Sequence, residues 1–294
     1  MFLNYVVQNE NLSINKILKI DLNISSRLYY KLIKNKLVYL NEQNVDTRTI
    51  PQIGDKILID LNYKEDNSNI IATKIDLNII YEDDCFIVID KPSGIAVHPS
   101  ILHFDDTLSN GLKFYFDSIN LQKKIRPVNR LDFFTSGLVI FAKNEYIQEC
   151  LIKQMENHTF EKIYLGLAKG ILEPKKGTLN MPIARKDNSI IERCISVKGK
   201  NSITHYEVLE EYKNVSLVKF ILETGRTHQI RVHMSSINHP LIGDSLYGET
   251  SPFYKGQALC CYKLKFIHPI TKKLVIFTSS NDFIQNPFNL KTKN

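Results

Sequence analysis

The chain has 294 residues, 43% of them hydrophobic, enough for one large core or for a large core with a small satellite domain. A net charge of +7 and a pI of about 9.0 favour an anionic partner such as RNA, DNA or a membrane surface. Five cysteines without a C-x-x-C pair argue against zinc and disulfide frameworks, and the lack of a leader-like start or an apolar run of about 18 residues predicts a soluble, cytoplasmic protein.

Residues 12 to 60 form a compact unit on pattern. Ser13 is placed to cap a short helix that turns Ile14, Ile17 and Leu18 inward. Ser25 is placed to cap a second helix, Ser26 to Lys36, with Leu28, Leu32 and Ile33 inward. The other side of that helix carries Arg27, Lys31 and Lys34 at i, i+4 and i+7, a single basic stripe. Such a stripe is either an RNA-holding surface or a solvated helix face, and charge alone does not choose between them. Leu37 to Asn41 and Ile57 to Leu61 read as strands, with a turn at Ile53-Gly54-Asp55 before the second. The polar run Tyr63 to Lys74 reads as a flexible linker.

From Ile79 onward strands and helices follow in an irregular order. Cys85 to Asp90 is an apolar strand, Lys91-Pro92-Ser93-Gly94 a turn, Ile95 to Val97 a resumed strand and Asp105 to Asp117 a helix. The stretch RPVNRLDFFTSGLVIFAKN, Arg126 to Asn144, has a basic approach, a turn through Asp132, Thr135, Ser136 and Gly137, and an apolar strand, Leu138 to Ala142. Asp132 therefore sits on a turn just before a rigid element, where catalytic groups are often placed. Taken alone, an Asp in this setting is more often a turn former. Asn144 is placed to cap a helix, Glu145 to Asn157, and Phe160 to Ala168 returns as a strand carrying Tyr164. Thr204 to Glu210 and Val215 to Leu222 read as neighbouring antiparallel strands. In Glu223 to His233, Thr227 is placed to cap a helix with Ile230, Met234 and Ile237 inward. That sets Arg226 at the positive helix end, a phosphate site, and Arg231 one turn in. His228 and His233 are five apart, a poor spacing for a shared metal, and read as hydrogen-bonding or RNA-facing residues. No glycine-rich phosphate loop is present. The mixture predicts an α+β fold on a large mixed sheet.

Four segments, FIVIDKPSGIAVHPS (86 to 100), RLDFFTSGLVIFAK (130 to 143), KIYLGLAKG (162 to 170) and GRTHQIRVH (225 to 233), occur in an order and spacing similar to the RluA-type family of RNA pseudouridine synthases. NSITHYEVLE (201 to 210), HPLIGDSLYG (239 to 248) and LKFIHPITKK (264 to 273) support the match, which spans residues 79 to 280. Residues 12 to 60 resemble the small RNA-binding domain named after ribosomal protein S-four, through SSRLYYKLIKNKLVYLN and PQIGDKILID, with Asn35-Lys36 where that family carries a glycine. The resemblance implies a small N-terminal α/β RNA-binding domain over residues 1–62, a linker over 63–75, and a catalytic domain over 76–294. The last would hold a mostly antiparallel sheet with flanking helices. It implies that Asp132 is the essential aspartate, that Tyr164 lies against the target base, and that Arg231 pairs with Asp132. Arg130 would help to hold the target nucleotide out of the RNA stack. Asn129 stands where the family usually has His, and Ala258-Leu259-Cys260-Cys261 replaces a pattern usually holding a His.

The chemistry explains these residue types. Turning uridine into pseudouridine breaks the base–sugar bond, rotates the uracil and rejoins it through carbon. Neither a redox step nor water is consumed, so no cofactor and no metal are expected. A neighbouring arginine favours the charged form of a carboxylate and fixes it by hydrogen bonds. A tyrosine offers a flat face to uracil and a hydroxyl for proton handling. The expected partner is RNA, most of all large-subunit ribosomal RNA, bound by a monomer. The competing readings are a non-catalytic RNA-binding assembly factor and, with less support, a hydrolase using Asp132 with His228 or His233.

Overall fold

Two sheets of different size organise the chain, each with helices laid against it. The computed structural model describes residues 1–280, so residues 281–294 of the expected catalytic domain lie outside the described residues. The N-terminal unit runs β1 (Phe2–Val6), α1 (Ile14–Ile20), α2 (Ser26–Lys34), β2 (Val38–Leu40), β3 (Gln43–Asn44) and β4 (Lys56–Asp60). Its sheet has the order β1-β4-β2-β3 and is antiparallel throughout. Strand β1, which the sequence pattern did not suggest, covers the edge of β4. Ser25 caps α2 by accepting from the Leu28 N–H at 3.3 Å, whereas Ser13 occupies the N-cap of α1 without a side-chain bond. Helix α2 ends two residues early, at Lys34. Lys36 then takes a φ of 53°, the left-handed conformation for which glycine is the usual residue, while the Asn35 amide donates to the Lys31 carbonyl at 2.8 Å.

The stretch 63–75 is not a free tether. Glu65 and Ile70 are buried, the Glu65 N–H donates to the Gln122 carbonyl, and the Thr73 N–H donates to the Asn110 carbonyl. Polar composition predicted mobility here. The polar atoms are instead spent on fixed partners in the following domain.

The larger unit runs β5 (Ile79–Glu82), β6 (Phe86–Lys91), α3 (Leu108–Ser118), β7 (Ser136–Ala142), α4 (Glu145–Glu156), β8 (Glu161–Lys169), β9 (Lys176–Asn180) and β10 (Ile183–Arg185). It continues with β11 (Arg193–Ile195), β12 (Ile203–Tyr212), β13 (Val215–Leu222), α5 (Gln229–Ser236), β14 (Leu259–Ile267) and β15 (Leu274–Thr278). Among the described residues its main sheet has nine strands in the order β5-β6-β7-β14-β8-β13-β12-β9, with β15 paired to β14. Among the described residues only β7 and β14 pair in parallel, so the α+β fold with a mixed, mostly antiparallel sheet is as expected. Strands β6 and β7 are buried on both faces, which is why they read as continuous apolar runs. Ile87, Ile89, Val139 and Phe141 pack under Leu108, Leu112 and Phe116 of α3, while Val88, Leu138 and Ile140 face the main core.

One expected strand is absent. Ile95 to Val97 has no strand conformation: the Ile95 carbonyl accepts from Lys91, and those of Ala96 and Val97 accept from the Leu108 and Ser109 N–H groups at the start of α3. The Lys91 Nζ donates to the carbonyls of Pro92 and Ile95 at 2.9 Å and of Phe133 at 3.0 Å.

Candidate active site

Asp132 is delivered by the segment that runs into β7. Asn129, buried, makes this segment behave like a short extra strand. Its Nδ2 donates to the Leu138 carbonyl and its Oδ1 accepts from the Ile140 N–H, both at 2.9 Å. An amide offers a donor and an acceptor at once, as a backbone unit does, which accounts for Asn in this place. Beyond Asp132, Lys91 and the Gly94 N–H hold the Phe133 carbonyl, and the Thr135 N–H closes a turn on the Asp132 carbonyl at 3.1 Å. Gly137 then passes at a φ of 103° so close to β14 that an added Cβ would lie 2.3 Å from the Cys261 carbonyl oxygen. Burial lowers the Lys91 pKa to about 7, with Asp132 pulling the other way.

Arg231 reaches the same place from α5. Its Nη1 donates to Asp132 Oδ2 at 3.2 Å. Its main partner is another acid, Asp244, which takes Nε at 2.7 Å and Nη2 at 2.8 Å in a bidentate pair. Burial works against the guanidinium charge, but Asp244 and then Asp132 outweigh it, and the pKa of Arg231 is raised. Among the described residues the hydrogen bond and the ion pairs of the Asp132 side chain fall on Oδ2, and the residue lines the cavity. Tyr164 lies on β8, opposite Cys261 and Phe220 of the adjacent strands. Burial pushes its phenol well above the ordinary value, with Cys261 and Asp132 adding to the shift, so the hydroxyl holds its proton.

These three residues line one cavity of about 980 Å³, together with Arg130, Lys162 and Arg226. That volume is at the upper end of the usual range for small-molecule sites, wide enough for a single nucleoside with its flanking phosphates. Arg130 and Arg226 are exposed at this cavity. Lys162 points into it, and burial lowers its pKa.

The helix that carries Arg231 starts later than the pattern predicted. His228, not Thr227, is its N-cap, with a left-handed φ of 59° and no side-chain capping bond. Gln229 explains the shift. Its Oε1 accepts from the Thr224 hydroxyl at 2.8 Å and the Arg226 N–H at 2.9 Å, and its Nε2 donates to the Ile203 carbonyl and Thr204 Oγ1. Arg226 thus precedes the helix by a tight loop, with its Nε donating to the Asn201 carbonyl. His228 faces Asp132, whereas His233 is buried between Thr204 and the Met181 carbonyl.

The basic stripe on α2 is divided. Arg27 and Lys34 are exposed. Lys31 instead lies 3.0 Å from Glu65 and 3.2 Å from Glu145, over the ring of Tyr63, where it joins the N-terminal unit to the larger one. The reason is Glu65, a buried carboxylate that also takes Arg126 in a bidentate pair at 2.7 and 2.6 Å. A distant acid of this kind is invisible to a helical-wheel reading.

Sequence reasoning also passed over Asp244, Tyr247 and Lys91. The first two sit in the GDSLYG part of a segment noted only as support for the resemblance. The burial of Lys91 has no signature of its own in sequence. Away from the cavity, Asp83, Cys85 and His268 bring ligand-type atoms within 4.8 Å of one another. His268 Nδ1 accepts from the Ile270 and Thr271 N–H groups, so its proton sits on Nε2 and is donated to Asp83 at 2.8 Å. A ring in that state has no lone pair for an ion.

Residues 85–236 match the sequence family described as RNA pseudouridylate synthase. The uncharacterized RNA pseudouridine synthase YhcT of Bacillus subtilis is 38% identical over 262 residues, 88% of this chain and 86% of that protein. Ribosomal large subunit pseudouridine synthase D of Haemophilus influenzae is 34% identical over 269 residues, 86% of this chain and 83% of that protein. The solved structure of human RNA pseudouridylate synthase domain containing 1 superposes with a TM-score of 0.58 at 28% identity, over 71% of this chain and 84% of the other.

Proposed function

This chain belongs to the RNA pseudouridylate synthase family, and from that premise we propose that it converts specific uridines of large-subunit ribosomal RNA to pseudouridine. The observation that carries the reading is the carboxylate of Asp132, held by Arg231 at 3.2 Å inside a cavity that Tyr164 also lines. Asp132 acts on the target nucleoside, as a nucleophile or by drawing a proton from the sugar, through the oxygen that Arg231 does not hold. Tyr164 supplies a flat, protonated phenol beside the base. Arg130 holds the extruded nucleotide and Arg226 its phosphate. Extruding a base costs about a few kcal/mol, and contacts between cations and phosphates offset it. The N-terminal unit, residues 1–62, adds RNA contacts through Arg27 and Lys34. The protein works as a monomer in the cytoplasm, without a cofactor.

The test is tritium release from ribosomal RNA labelled at carbon five of uracil. Wild-type protein is expected to release tritium, and Asp132→Asn to lose at least the roughly hundredfold to ten-thousandfold typical of an acid–base group. Equal release by the two proteins refutes the role of Asp132. Pseudouridine mapping of total RNA from cells with and without the gene identifies the uridines.

A further inference from the structure

Tyr247 is tied to three groups beside the cavity. Its ring lies 5.0 Å from the Arg231 guanidinium carbon. Its hydroxyl accepts from the Arg193 N–H at 2.8 Å and lies 2.8 Å from His228 Nδ1. A phenol has one proton to donate. The Arg193 amide can only donate, so among the described residues Nδ1 of His228 is the one hydrogen-bond partner placed to accept the Tyr247 proton. A neutral imidazole that accepts on Nδ1 carries its own hydrogen on Nε2. That nitrogen lies 3.8 Å from Asp132 Oδ2, the oxygen that Arg231 also approaches.

The surroundings agree with a neutral ring. Burial lowers the His228 pKa, and Arg231 and Arg193 act in the same direction against Asp132 and Asp244. The backbone agrees with a built position. His228 sits at a φ of 59°, next to Gln229, whose Oε1 accepts from the Arg226 N–H and whose Nε2 donates to the Ile203 carbonyl of β12.

We infer that His228 is a positioning residue of the reaction: a neutral Nε2–H donor, set in its tautomer by Tyr247, that steadies Oδ2 of Asp132 so that Oδ1 faces the target nucleoside. A gap of 3.8 Å is longer than a hydrogen bond. Bonds of this kind are often long in the empty site and tighten when substrate enters, directly or through one water. The inference rests on Asp132 being the reacting carboxylate.

The test uses full-length protein, C5-tritiated large-subunit ribosomal RNA and four variants. His228→Asn keeps a residue that tolerates positive φ but is too short to reach Asp132, and its kcat is expected to fall roughly tenfold to a hundredfold with KM unchanged. His228→Gln places an amide N–H near the Nε2 position and is expected to recover most of that loss. Tyr247→Phe keeps the ring beside Arg231 and removes only the hydroxyl, so it is expected to lose less than His228→Asn, again in kcat. Nitrogen-15 spectra of histidine-labelled wild-type protein are expected to show an unprotonated Nδ1 and a protonated Nε2 at His228, and Tyr247→Phe to mix the two tautomers. A merely structural role would lower binding and rate together and would not be rescued by glutamine. If Asp132→Asn is inactive while His228→Asn keeps the wild-type kcat, or if Nδ1 carries the proton, the positioning role is overturned and the proposed function stands. If Asp132→Asn is as active as wild type, the proposed function falls and the role of His228 falls with it.

Discussion

One guanidinium holds two acids, and substitution at each is expected to fail in a different way. Asp244 is fully buried, takes two bonds from Arg231 at 2.7 and 2.8 Å, and also accepts from the Leu246 and Tyr247 N–H groups. Asp244→Asn would set an amide NH₂ against a guanidinium nitrogen and leave the buried Arg231 charge with Asp132 alone. Removing one partner of a buried pair costs about 3–5 kcal/mol, because the other charge is left uncompensated. Asp132 is 26% exposed and makes one contact with Arg231, at 3.2 Å. A partly buried pair whose arginine keeps a second acid, Asp244, contributes about 0–1 kcal/mol. Urea unfolding followed by far-UV circular dichroism is therefore expected to show Asp244→Asn destabilised by about 3–5 kcal/mol and Asp132→Asn within about 1 kcal/mol of wild type. Tritium release is expected to be abolished in Asp132→Asn at full stability, and reduced in Asp244→Asn because Arg231 loses its anchor. Equal stability losses in the two variants would refute the division of labour between the two acids.

Three further outcomes follow from the same geometry. Burial alone would raise the Glu65 carboxyl, but Arg126 and Lys31 outweigh it and bring it from 4.5 down to about 2. Its contribution is thus complete above the unfolded value and lost as pH falls from 4.5 towards 2. Glu65→Gln is expected to flatten the acid limb of the stability profile in that window, and an unchanged limb would count against the ion pair. Gly137→Ala forces a methyl group against the Cys261 backbone at a positive φ. The expected cost is about 1–3 kcal/mol for overpacking and a similar amount for the backbone, read as a lower urea midpoint, and an unchanged midpoint would show that β14 yields freely. Arg226→Ala is expected to reduce the slope of log affinity for ribosomal RNA against log salt by about one. Lys31→Ala, whose charge is already taken by Glu65 and Glu145, is expected to leave that slope unchanged, and the reverse result would return Lys31 to the RNA surface.

Much of this was legible in the sequence, and the limits have physical causes. Strands β2, β4, β6, β7, β8, β12 and β13 were found because side chains alternate or, in β6 and β7, because both faces are covered. Asp132, Tyr164 and Arg231, which line one cavity, were singled out because their segments are contiguous and resemble a known family. Tertiary partners left no such trace. Asp244 meets Arg231 across thirteen residues, Glu65 meets Arg126 across sixty-one, and neither spacing belongs to a helix or a strand. The linker looked free because polar residues on a surface and polar residues paired in an interface have the same composition. The start of α5 was misplaced because Thr227 is a good capping residue by type, while Gln229 acts two residues later through its side chain.

The Asp132 segment also links the two units mechanically. Arg126 grips Glu65 of the segment that leaves the N-terminal unit, and three residues later Asn129 is bonded to β7. Lys123, beside them, donates to the carbonyls of Leu61 and Tyr63 at 2.6 and 2.7 Å. The contacts that dock the N-terminal unit and those that aim the carboxylate therefore fall on one short stretch, 123–132. A chain so pinned has few soft dihedrals between α2 and the cavity. RNA held by Arg27 and Lys34 would meet Asp132 at a set distance rather than one averaged over a mobile tether, so loosening Glu65 should blur the choice of uridine before it slows the chemistry.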